Sequence, residues 1–169
     1  YAFQYYVGTK GGETIRLADA YCEKILDPEH DDDIPASAYP DNKTYPKGGK
    51  GIVSVFKIQR DNYAWTVSDF KMQHPKQPVI YEMHLRDFTT GRTINSALQK
   101  LDYLKDMGVD AIELMPVQEF DGNDSWGYNP CFFFALDKAY GTPKMYKDFI
   151  DACHRKGMAV ILDVVYNHA

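Results

Sequence analysis

A carboxylate, an amide and an imidazole lie close together at the end of an apolar run of the sequence. Residues 158–165 predict a buried strand. Asp163 lies within this run, and Asn167 and His168 follow it. Side chains alternate along a strand, and a charge such as Asp163 needs a partner at this place. Two interpretations stay open from these residues alone. Either they form a polar site, or Asp163 neutralises an arginine of a neighbouring strand while His168 caps a loop.

Two aromatic side chains flank a glycine in a second polar segment. Trp126 and Tyr128 lie on either side of Gly127, between Ser125 and Pro130. Aromatic rings stack on the apolar faces of sugars, and polar neighbours can then bind the hydroxyl groups. Packing of both rings against the rest of the fold explains these residues equally well.

Apolar strands and amphipathic helices alternate through the second half of the sequence and must position these residues. Strands are predicted over 79–84, 109–115 and 158–165, and helices over 94–107 and 143–156. Helix, glycine and apolar strand thus occur twice in succession, which is typical of parallel βαβ units. Periodicity alone leaves open whether the units continue into an open doubly wound sheet or a (β/α)8 barrel.

Capping residues set the helix boundaries. A threonine N-cap, a proline in the first turn and a glycine after the last turn are the usual punctuation of a helix. Leu98, Leu101 and Leu104 form the apolar stripe of the first helix. Between the second strand and the second helix, residues 116–141 predict a long loop. The punctuating residues are Thr93 and Gly108 for the first helix, and Thr142, Pro143 and Gly157 for the second.

Ligands bind at the carboxyl ends of the strands in both of the architectures left open. That rule singles out residues 84–87, 116–130 and 163–168, one segment after each predicted strand. All three segments are rich in polar and aromatic side chains, so we expect the functional site there.

The first seventy residues have a different pattern. Apolar and aromatic residues recur at roughly alternate positions over 3–7 and 51–58, which predicts half-buried strands. Between these runs lies the acidic run 29–33, followed by residues rich in proline, asparagine and glycine. A solvated loop is the preferred interpretation of the acidic run over a cation site.

Composition narrows the class of protein. The 169 residues carry a formal net charge of −5 without clustered lysine or arginine, which argues against nucleic acid or an anionic membrane as a partner. No apolar run reaches the roughly 20 residues of a membrane span, and no GxGxxG or P-loop pattern follows a strand. Cys22, Cys131 and Cys153 are far apart, so reduced structural thiols are expected. The cellular address stays open.

Four motifs occur in order along the second half of the chain. They are VIYEMHLRDF at 79–88, GVDAIELMPV at 108–117, WGYNP at 126–130 and DVVYNH at 163–168. In this order and spacing they resemble successive landmarks of the α-amylase superfamily, glycoside hydrolase family 13. The resemblance is strongest to the branch with pullulanases, isoamylases and branching enzymes, because a β-sandwich module commonly precedes the barrel there and residues 16–28 are similar to its closing segment.

The resemblance implies an α/β fold, namely the first three β/α units of a TIM (β/α)8 barrel preceded by the end of a β-sandwich accessory domain. Residues 1–70 are then expected to be the C-terminal part of a carbohydrate-binding-module-like β-sandwich plus a connector. Residues 71–169 are expected to be the N-terminal portion of the catalytic barrel. A whole barrel needs roughly 250 residues, so an open sheet edge that invites self-association is also expected.

The resemblance also implies roles for particular residues. Tyr128 is expected to stack under the sugar at the bond to be cut, His168 to hydrogen-bond the same sugar, and Trp126 to be a further α-glucan contact. Asp163 matches a residue that organises the site. Asn167 matches a position that binds a structural calcium ion in many members, so calcium is a candidate cofactor on this one ligand.

The activity that the resemblance implies is that of a retaining glycoside hydrolase on α-glucans such as starch, glycogen or pullulan, at α-1,4 or α-1,6 bonds. Such enzymes use a carboxylate nucleophile and a carboxylic acid about 5–5.5 Å apart, and both are expected beyond Ala169. Asp87, Glu113 and Glu119 are not assigned as replacements. Two alternatives stay open: a fragment that binds α-glucan without turnover, and a glucan-branching transglycosylase.

Overall fold

The computed structural model describes residues 1–58 and 62–167. The strands in these ranges are β1 Ala2–Phe3, β2 Tyr5–Gly8, β3 Thr14–Leu17, β4 Ile25–Leu26, β5 Val53–Val55, β6 Ile80–Met83, β7 Ala111–Leu114, β8 Gln118–Phe120, β9 Pro130–Leu136 and β10 Ala159–Leu162. The helices are α1 Leu85–Phe88, α2 Ile94–Leu98, α3 Leu101–Asp106 and α4 Pro143–Arg155, and a 3₁₀ turn covers Asp31–Asp33. No helix in the described ranges is long and apolar enough to cross a membrane.

A three-stranded parallel sheet in the order β6–β7–β10 forms the centre of the second half of the chain. This arrangement confirms the predicted parallel βαβ units. Strand β7 lies in the middle because Ala111, Ile112 and Leu114 are at most 1% exposed and must be covered on both faces. The register places Met83, Leu114 and Leu162 at one level. The carboxyl ends of the three strands therefore lie at a common edge.

The outer strands of this sheet are β6 and β10. Each has a partly exposed apolar residue, Ile80 at 47% and Leu162 at 46%. Unpaired strand edges are templates for pairing with another strand. Self-association of this chain through these edges is not tested by any contact in the structure and stays a prediction.

The single helix predicted over 94–107 is wrong, because the segment forms two helices, α2 and α3. The backbone N–H of Lys100 donates to the carbonyl oxygen of Ala97 at 2.9 Å, which is a tight i→i−3 turn that closes α2. The chain then starts a new helix at Leu101. Leu101 and Leu104 stay in the core at 1% and 0% exposure, so the break preserves the predicted apolar stripe at these two positions.

The predicted capping residues are confirmed. The Thr93 hydroxyl accepts a hydrogen bond from the backbone N–H three residues later at 3.1 Å, and Thr142 does the same at 3.3 Å. Gly108 and Gly157 follow the helices with φ angles of +82° and +73°. Glycine adopts these left-handed angles without the steric cost of a Cβ atom, which is why the helices end there.

The helices cover the parallel sheet and enclose the main hydrophobic core. Helix α4 supplies Tyr146, Phe149 and Cys153, each at most 4% exposed, as its apolar periodicity predicted. Burial of a large apolar side chain contributes roughly 1.5–3 kcal/mol, so these residues fix α4 on the sheet. The three cysteines of the chain are unpaired, as expected.

The prediction of one long loop over 116–141 is wrong, because the segment contains two strands on either side of a shorter loop. Strand β8 pairs with β9 in an antiparallel hairpin whose register shifts on both sides of Glu119. Such irregular pairing, together with three consecutive phenylalanines in β9, conceals the two-residue alternation that signals a strand. Residues 121–129 connect the two strands and are called the tip loop below.

The first 58 residues form two small antiparallel sheets. The strand predicted over 3–7 is divided at Gln4 into β1 and β2, and the strand predicted over 51–58 is limited to β5. Strand β5 lies between β1 and β4, while β2 pairs with β3 in a hairpin that the sequence analysis missed. That these strands close a β-sandwich, and that a domain boundary lies near residue 70, stay predictions.

The acidic run 29–33 is not a fully solvated loop, contrary to prediction. The Asp31 carboxylate lies 3.2 Å from Nζ of Lys138, and its side chain is only 11% exposed. Lys138 follows β9, is 2% exposed, and also pairs with Oε1 of Glu119 at 2.5 Å. A buried ammonium group needs counter-charges, so Asp31 is held against the β8–β9 hairpin.

Burial controls the protonation of this cluster. Burial would lower the pKa of Lys138, but Glu119 and Asp31 outweigh that effect and raise it, so the ammonium group stays charged. Burial, and then the nearby charge of Glu119, raises the pKa of Asp137 to about 8. Asp137 therefore carries a proton near neutral pH, while its Oδ1 accepts the backbone N–H of Ala139 at 2.8 Å.

Replacement of Lys138 by methionine is expected to destabilise the chain strongly. The substitution leaves Asp31 and Glu119 buried without their cation, which costs about 3–5 kcal/mol. Urea denaturation at pH 7 measures the change. The matched control is Lys144→Met, which breaks an exposed i,i+4 pair with Asp148 and should cost less than about 0.5 kcal/mol. Equal losses in the two variants would contradict the role given to Lys138.

The raised pKa of Asp137 gives a pH dependence of stability. Since the folded chain holds this proton up to about pH 8 and the unfolded chain releases it near the ordinary aspartate pKa of 3.8, the free energy of unfolding should fall as pH rises between these values. The slope contributed by one such group is at most about 1.4 kcal/mol per pH unit. Asp137→Asn removes the titration and should flatten the curve of urea midpoint against pH from 5 to 8. Asp102→Asn, at a side chain 85% exposed, should leave it unchanged, and a D137N curve as steep as the wild-type one would refute the assignment.

Candidate functional site

A groove of about 390 Å³ opens at the carboxyl ends of the parallel strands. It lies where the sequence analysis expected the site, because the strand register brings the ends of β6 and β7 together. Both the strand ends and the tip loop contribute to its walls. The lining residues are Glu82, Met83, His84, Asp87, Met115, Trp126 and Tyr128.

Tyr128 is held by the carboxylate predicted to organise the site. Its hydroxyl donates to Oδ2 of Asp163 at 2.5 Å, and the residue is 38% exposed. This hydrogen bond, followed by burial, raises the pKa of Tyr128 to about 12. Asp163 is thus paired with a tyrosine, and not with the arginine that one interpretation of the sequence expected. A neutral ring tethered at its hydroxyl still presents part of its surface to the groove.

Trp126 lies on the same loop and is 62% exposed. Gly127 stands between the two aromatic residues with a φ of +87°, and a Cβ atom at this position would lie 2.6 Å from the carbonyl oxygen of Pro116. Glycine is therefore required for two reasons, the left-handed backbone and the close approach of the chain after β7. This contact sets the direction in which Trp126 and Tyr128 leave the backbone.

Polar contacts inside the tip loop fix its turn. The Ser125 hydroxyl group donates to Oδ1 of Asn129 at 2.5 Å and accepts from the backbone N–H of Gly127 at 3.0 Å. At the edge of the loop, Asp124 accepts a hydrogen bond from the guanidinium group of Arg86. The loop is thus tied both to itself and to α1.

His84 is a site residue to which the sequence analysis assigned no role. It follows β6, is 8% exposed, and has Nδ1 at 3.1 Å from Oδ2 of Asp87. Its Nε2 lies 3.1 Å from the carbonyl oxygen of Ser125 and 3.1 Å from the hydroxyl of Tyr140. The signal available in the sequence was its position directly after a buried strand. The two partners of Nε2 are 41 and 56 residues away, so no local pattern identifies them.

Asp87 and Glu119 are both engaged in ion pairs. Two guanidinium nitrogens of Arg86 donate to Asp87 at 2.8 and 3.0 Å, and this pairing lowers the pKa of Asp87 to about 2. Glu119 is buried against Lys138, as described above, and Glu113 lies half-buried within β7.

The remaining residues expected at the site are less defined. His168 lies outside the described residues, so its predicted contact with sugar is not described. Asn167 is exposed. In the described part of the chain no group of three or more His, Cys, Asp or Glu side chains is placed to hold a metal ion. A calcium site takes 6–8 oxygen ligands, and calcium binding at Asn167 stays a prediction.

The close approach at Gly127 can be tested with two alanine variants. Gly122→Ala and Gly127→Ala both place a Cβ on a left-handed residue, with φ of +79° and +87°, but only the second meets a backbone oxygen. We expect G122A to cost about 1 kcal/mol and G127A roughly 1–3 kcal/mol more, because the tip loop must shift. Urea denaturation gives both values. Equal costs would mean that Pro116 does not constrain the loop.

Comparisons with known proteins agree with the geometry. Residues 79–169, more than half of the chain, match the family described as alpha amylase, catalytic domain. A malto-oligosyltrehalose trehalohydrolase from Arthrobacter ramosus is 41% identical over 131 residues, which are 78% of this chain and 22% of that protein. A Bacillus subtilis pullulanase is 35% identical, covering 72% of this chain and 21% of its own length.

A solved structure extends the similarity to nearly the whole chain. The multi-modular glycogen-degrading pneumococcal virulence factor SpuA, in a product complex, matches 99% of this chain and 20% of its own, with a TM-score of 0.75 and 28% identity. The chain spans between 22 and 26% of the length of the first three curated relatives that it matches. From the matched motifs, the parallel sheet and these similarities it follows that the chain belongs to the α-amylase catalytic-domain family and contains part of its (β/α)8 barrel.

Proposed function

We propose that the protein carrying this chain is a retaining glycoside hydrolase that acts on α-glucans. The observation that carries the proposal is the groove at the carboxyl ends of β6 and β7, where the exposed rings of Trp126 and Tyr128 stand beside polar groups. Further support comes from the names of the similar proteins, which include trehalohydrolases, a pullulanase and a glycogen-degrading protein.

In this proposal the tip loop is the sugar-stacking wall of the substrate cleft. Tyr128 stacks under the sugar at the bond to be cut, and Trp126 contacts the glucan beside it. Asp163 organises this wall, because the hydrogen bond at 2.5 Å holds the Tyr128 ring in place before substrate arrives. A ring that is already immobilised loses less conformational entropy on binding, so the stacking contact is stronger. His168 hydrogen-bonds the same sugar.

The reacting carboxylates belong to other parts of the protein in this proposal. A retaining mechanism needs a nucleophile and an acid about 5–5.5 Å apart. Asp87 is bound by Arg86, Asp163 by Tyr128, and Glu119 by Lys138. These contacts suit structural and positioning roles. The present chain therefore binds and orients the glucan, and residues 1–70 would belong to an accessory β-sandwich beside the barrel.

The substrate is proposed to be a malto-oligosaccharide chain, and two substrates separate the specificities. The 41% identity to a malto-oligosyltrehalose trehalohydrolase favours release of trehalose from malto-oligosyltrehalose, while the similarity to pullulanase favours cleavage of pullulan. Chromatography of the products from each substrate decides between them. New branch points without net release of sugar would instead indicate a branching transglycosylase, and binding without turnover a non-catalytic glucan-binding protein.

The stacking role predicts a loss of glucan affinity when either ring is removed. Trp126→Ala and Tyr128→Ala should each weaken binding of maltoheptaose by about 1–2 kcal/mol, or roughly 5- to 30-fold, because the apolar contact with a sugar face is lost. Calorimetry on the full-length protein measures this. Tyr128→Phe keeps the ring but loses the tether to Asp163, so a smaller loss is expected.

Trp65→Ala provides the control for these variants. Trp65 is 45% exposed and packs edge-on against Tyr63 at 4.7 Å between ring centroids, away from the residues that line the groove. Its removal should leave maltoheptaose affinity unchanged. If W65A weakens binding as much as W126A and Y128A do, or if the two tip-loop variants bind like the wild type, the stacking role is refuted.

A further inference from the structure

The ring of His84 lies between oxygen atoms on both sides. On one side Nδ1 is 3.1 Å from Oδ2 of Asp87, and on the other Nε2 is 3.1 Å from the carbonyl oxygen of Ser125. The Tyr140 hydroxyl is also 3.1 Å from Nε2, and lies 3.4 Å from the same carbonyl oxygen. These distances allow the hydrogen atoms of the His84 ring to be assigned, because each neighbouring atom can be classed as a hydrogen-bond donor or acceptor.

The proton on Nδ1 follows from the state of Asp87. Pairing with Arg86 lowers the pKa of Asp87 to about 2, so the carboxylate is ionised and only accepts. An unprotonated Nδ1 would face it lone pair to lone pair at 3.1 Å. Nδ1 of His84 therefore carries a hydrogen and donates it to Asp87.

The proton on Nε2 has two arrangements with different consequences for the tip loop. With a proton, Nε2–H donates to the Ser125 carbonyl, and the Tyr140 hydroxyl is free to donate to that carbonyl too. Without a proton, Nε2 becomes the acceptor for Tyr140, and the carbonyl oxygen of Ser125 loses both donors. A carbonyl without donors that faces the lone pair of Nε2 at 3.1 Å is repelled by it.

We propose that His84 is a positioning residue for the glucan-stacking wall, and that its doubly protonated ring holds the Ser125 carbonyl and with it the tip loop. The inference rests on the function proposed above. Loss of the Nε2 proton transfers the Tyr140 hydroxyl from the loop to the ring and releases the loop. The protein thus binds glucan more tightly on the acid side of this proton transfer.

The rest of the loop transmits this constraint to the stacking rings. The hydroxyl of Ser125 accepts the backbone N–H of Gly127 at 3.0 Å and donates to Asn129 at 2.5 Å, so the turn between Trp126 and Tyr128 moves with Ser125. Arg86 of α1 donates to Asp124 of the tip loop independently of His84. Release at Ser125 therefore loosens the loop without unfolding it.

Most of the groups that face His84 keep the same charge when its ring gains or loses a proton. Asp87 and Arg86 face it from α1, Asp124 from the tip loop, Tyr140 from the segment before α4, and Glu82 and Tyr128 across the groove. Arg86 hydrogen bonds keep Asp87 ionised, and the bond to Asp163 keeps Tyr128 neutral. Burial raises the pKa of Tyr140 above its usual value, and Asp137 adds to this effect once it is ionised, so the Tyr140 hydroxyl remains a donor.

The test is the pH profile of KM and kcat in the full-length protein, with whichever of malto-oligosyltrehalose and pullulan it turns over. For the wild type we expect KM to rise roughly 5- to 10-fold from pH 5.5 to 8.5, as the hydrogen bonds to the loop are lost. His84→Gln supplies an amide donor that does not titrate in this range. Its KM should be flat with pH and near the acid value of the wild type, while the pH dependence of kcat is retained.

Two further variants separate positioning from a general structural role. His84→Leu should show a raised KM at every pH. Tyr140→Phe should move the rise in KM to higher pH, because the unprotonated His84 ring then lacks the hydrogen bond that the Tyr140 hydroxyl donates to Nε2. A KM for H84Q that rises with pH as in the wild type would overturn the inference and leave the proposed function standing. A wild type that turns over no glucan at any pH would overturn both.

Discussion

The pairing of β7 with both β6 and β10 is the constraint on which the candidate site depends. Because Met83, Leu114 and Leu162 are level in the register, the residues that follow them emerge at one edge of the sheet. The core residues of β7 have no exposed face, so the two flanking strands cannot slip without exposing them. For this reason His84 lines the groove while Asp163, far away in the sequence, holds Tyr128 on the wall of the same groove.

Buried charged groups also hold the first part of the chain against the β8–β9 hairpin. Lys138 forms ion pairs with Asp31 and with Glu119. In addition, Asn123 of the tip loop donates to the carbonyl oxygen of His30 at 2.7 Å. An acidic run that looks like a solvated segment in the sequence is therefore a source of counter-charge. Such a buried pair gives little net stability over apolar packing, but it fixes which segment lies against the hairpin.

The tip loop shows how a functional surface is built from contacts that are remote in sequence. Its rings are exposed, so their own packing does not orient them. Tyr128 is tethered to Asp163 across the sheet, Ser125 is held by His84, and Gly127 rests on the carbonyl oxygen of Pro116. Residues that follow three different strands thus hold a single loop of nine residues, and the positions of its two aromatic rings depend on all three.

The sequence by itself determined the parallel strands, the ends of α4 and the location of a groove at the strand ends, because apolar periodicity and capping residues are local properties. It could not give the irregular β8–β9 hairpin or the burial of Asp31 against Lys138, because each depends on a partner in another part of the chain. The same holds for His84, which is one polar residue after a strand until folding places Asp87, Ser125 and Tyr140 around its ring. Tertiary structure decided these features since burial makes each polar group require a specific partner, and only the fold determines which residue is near enough to be that partner.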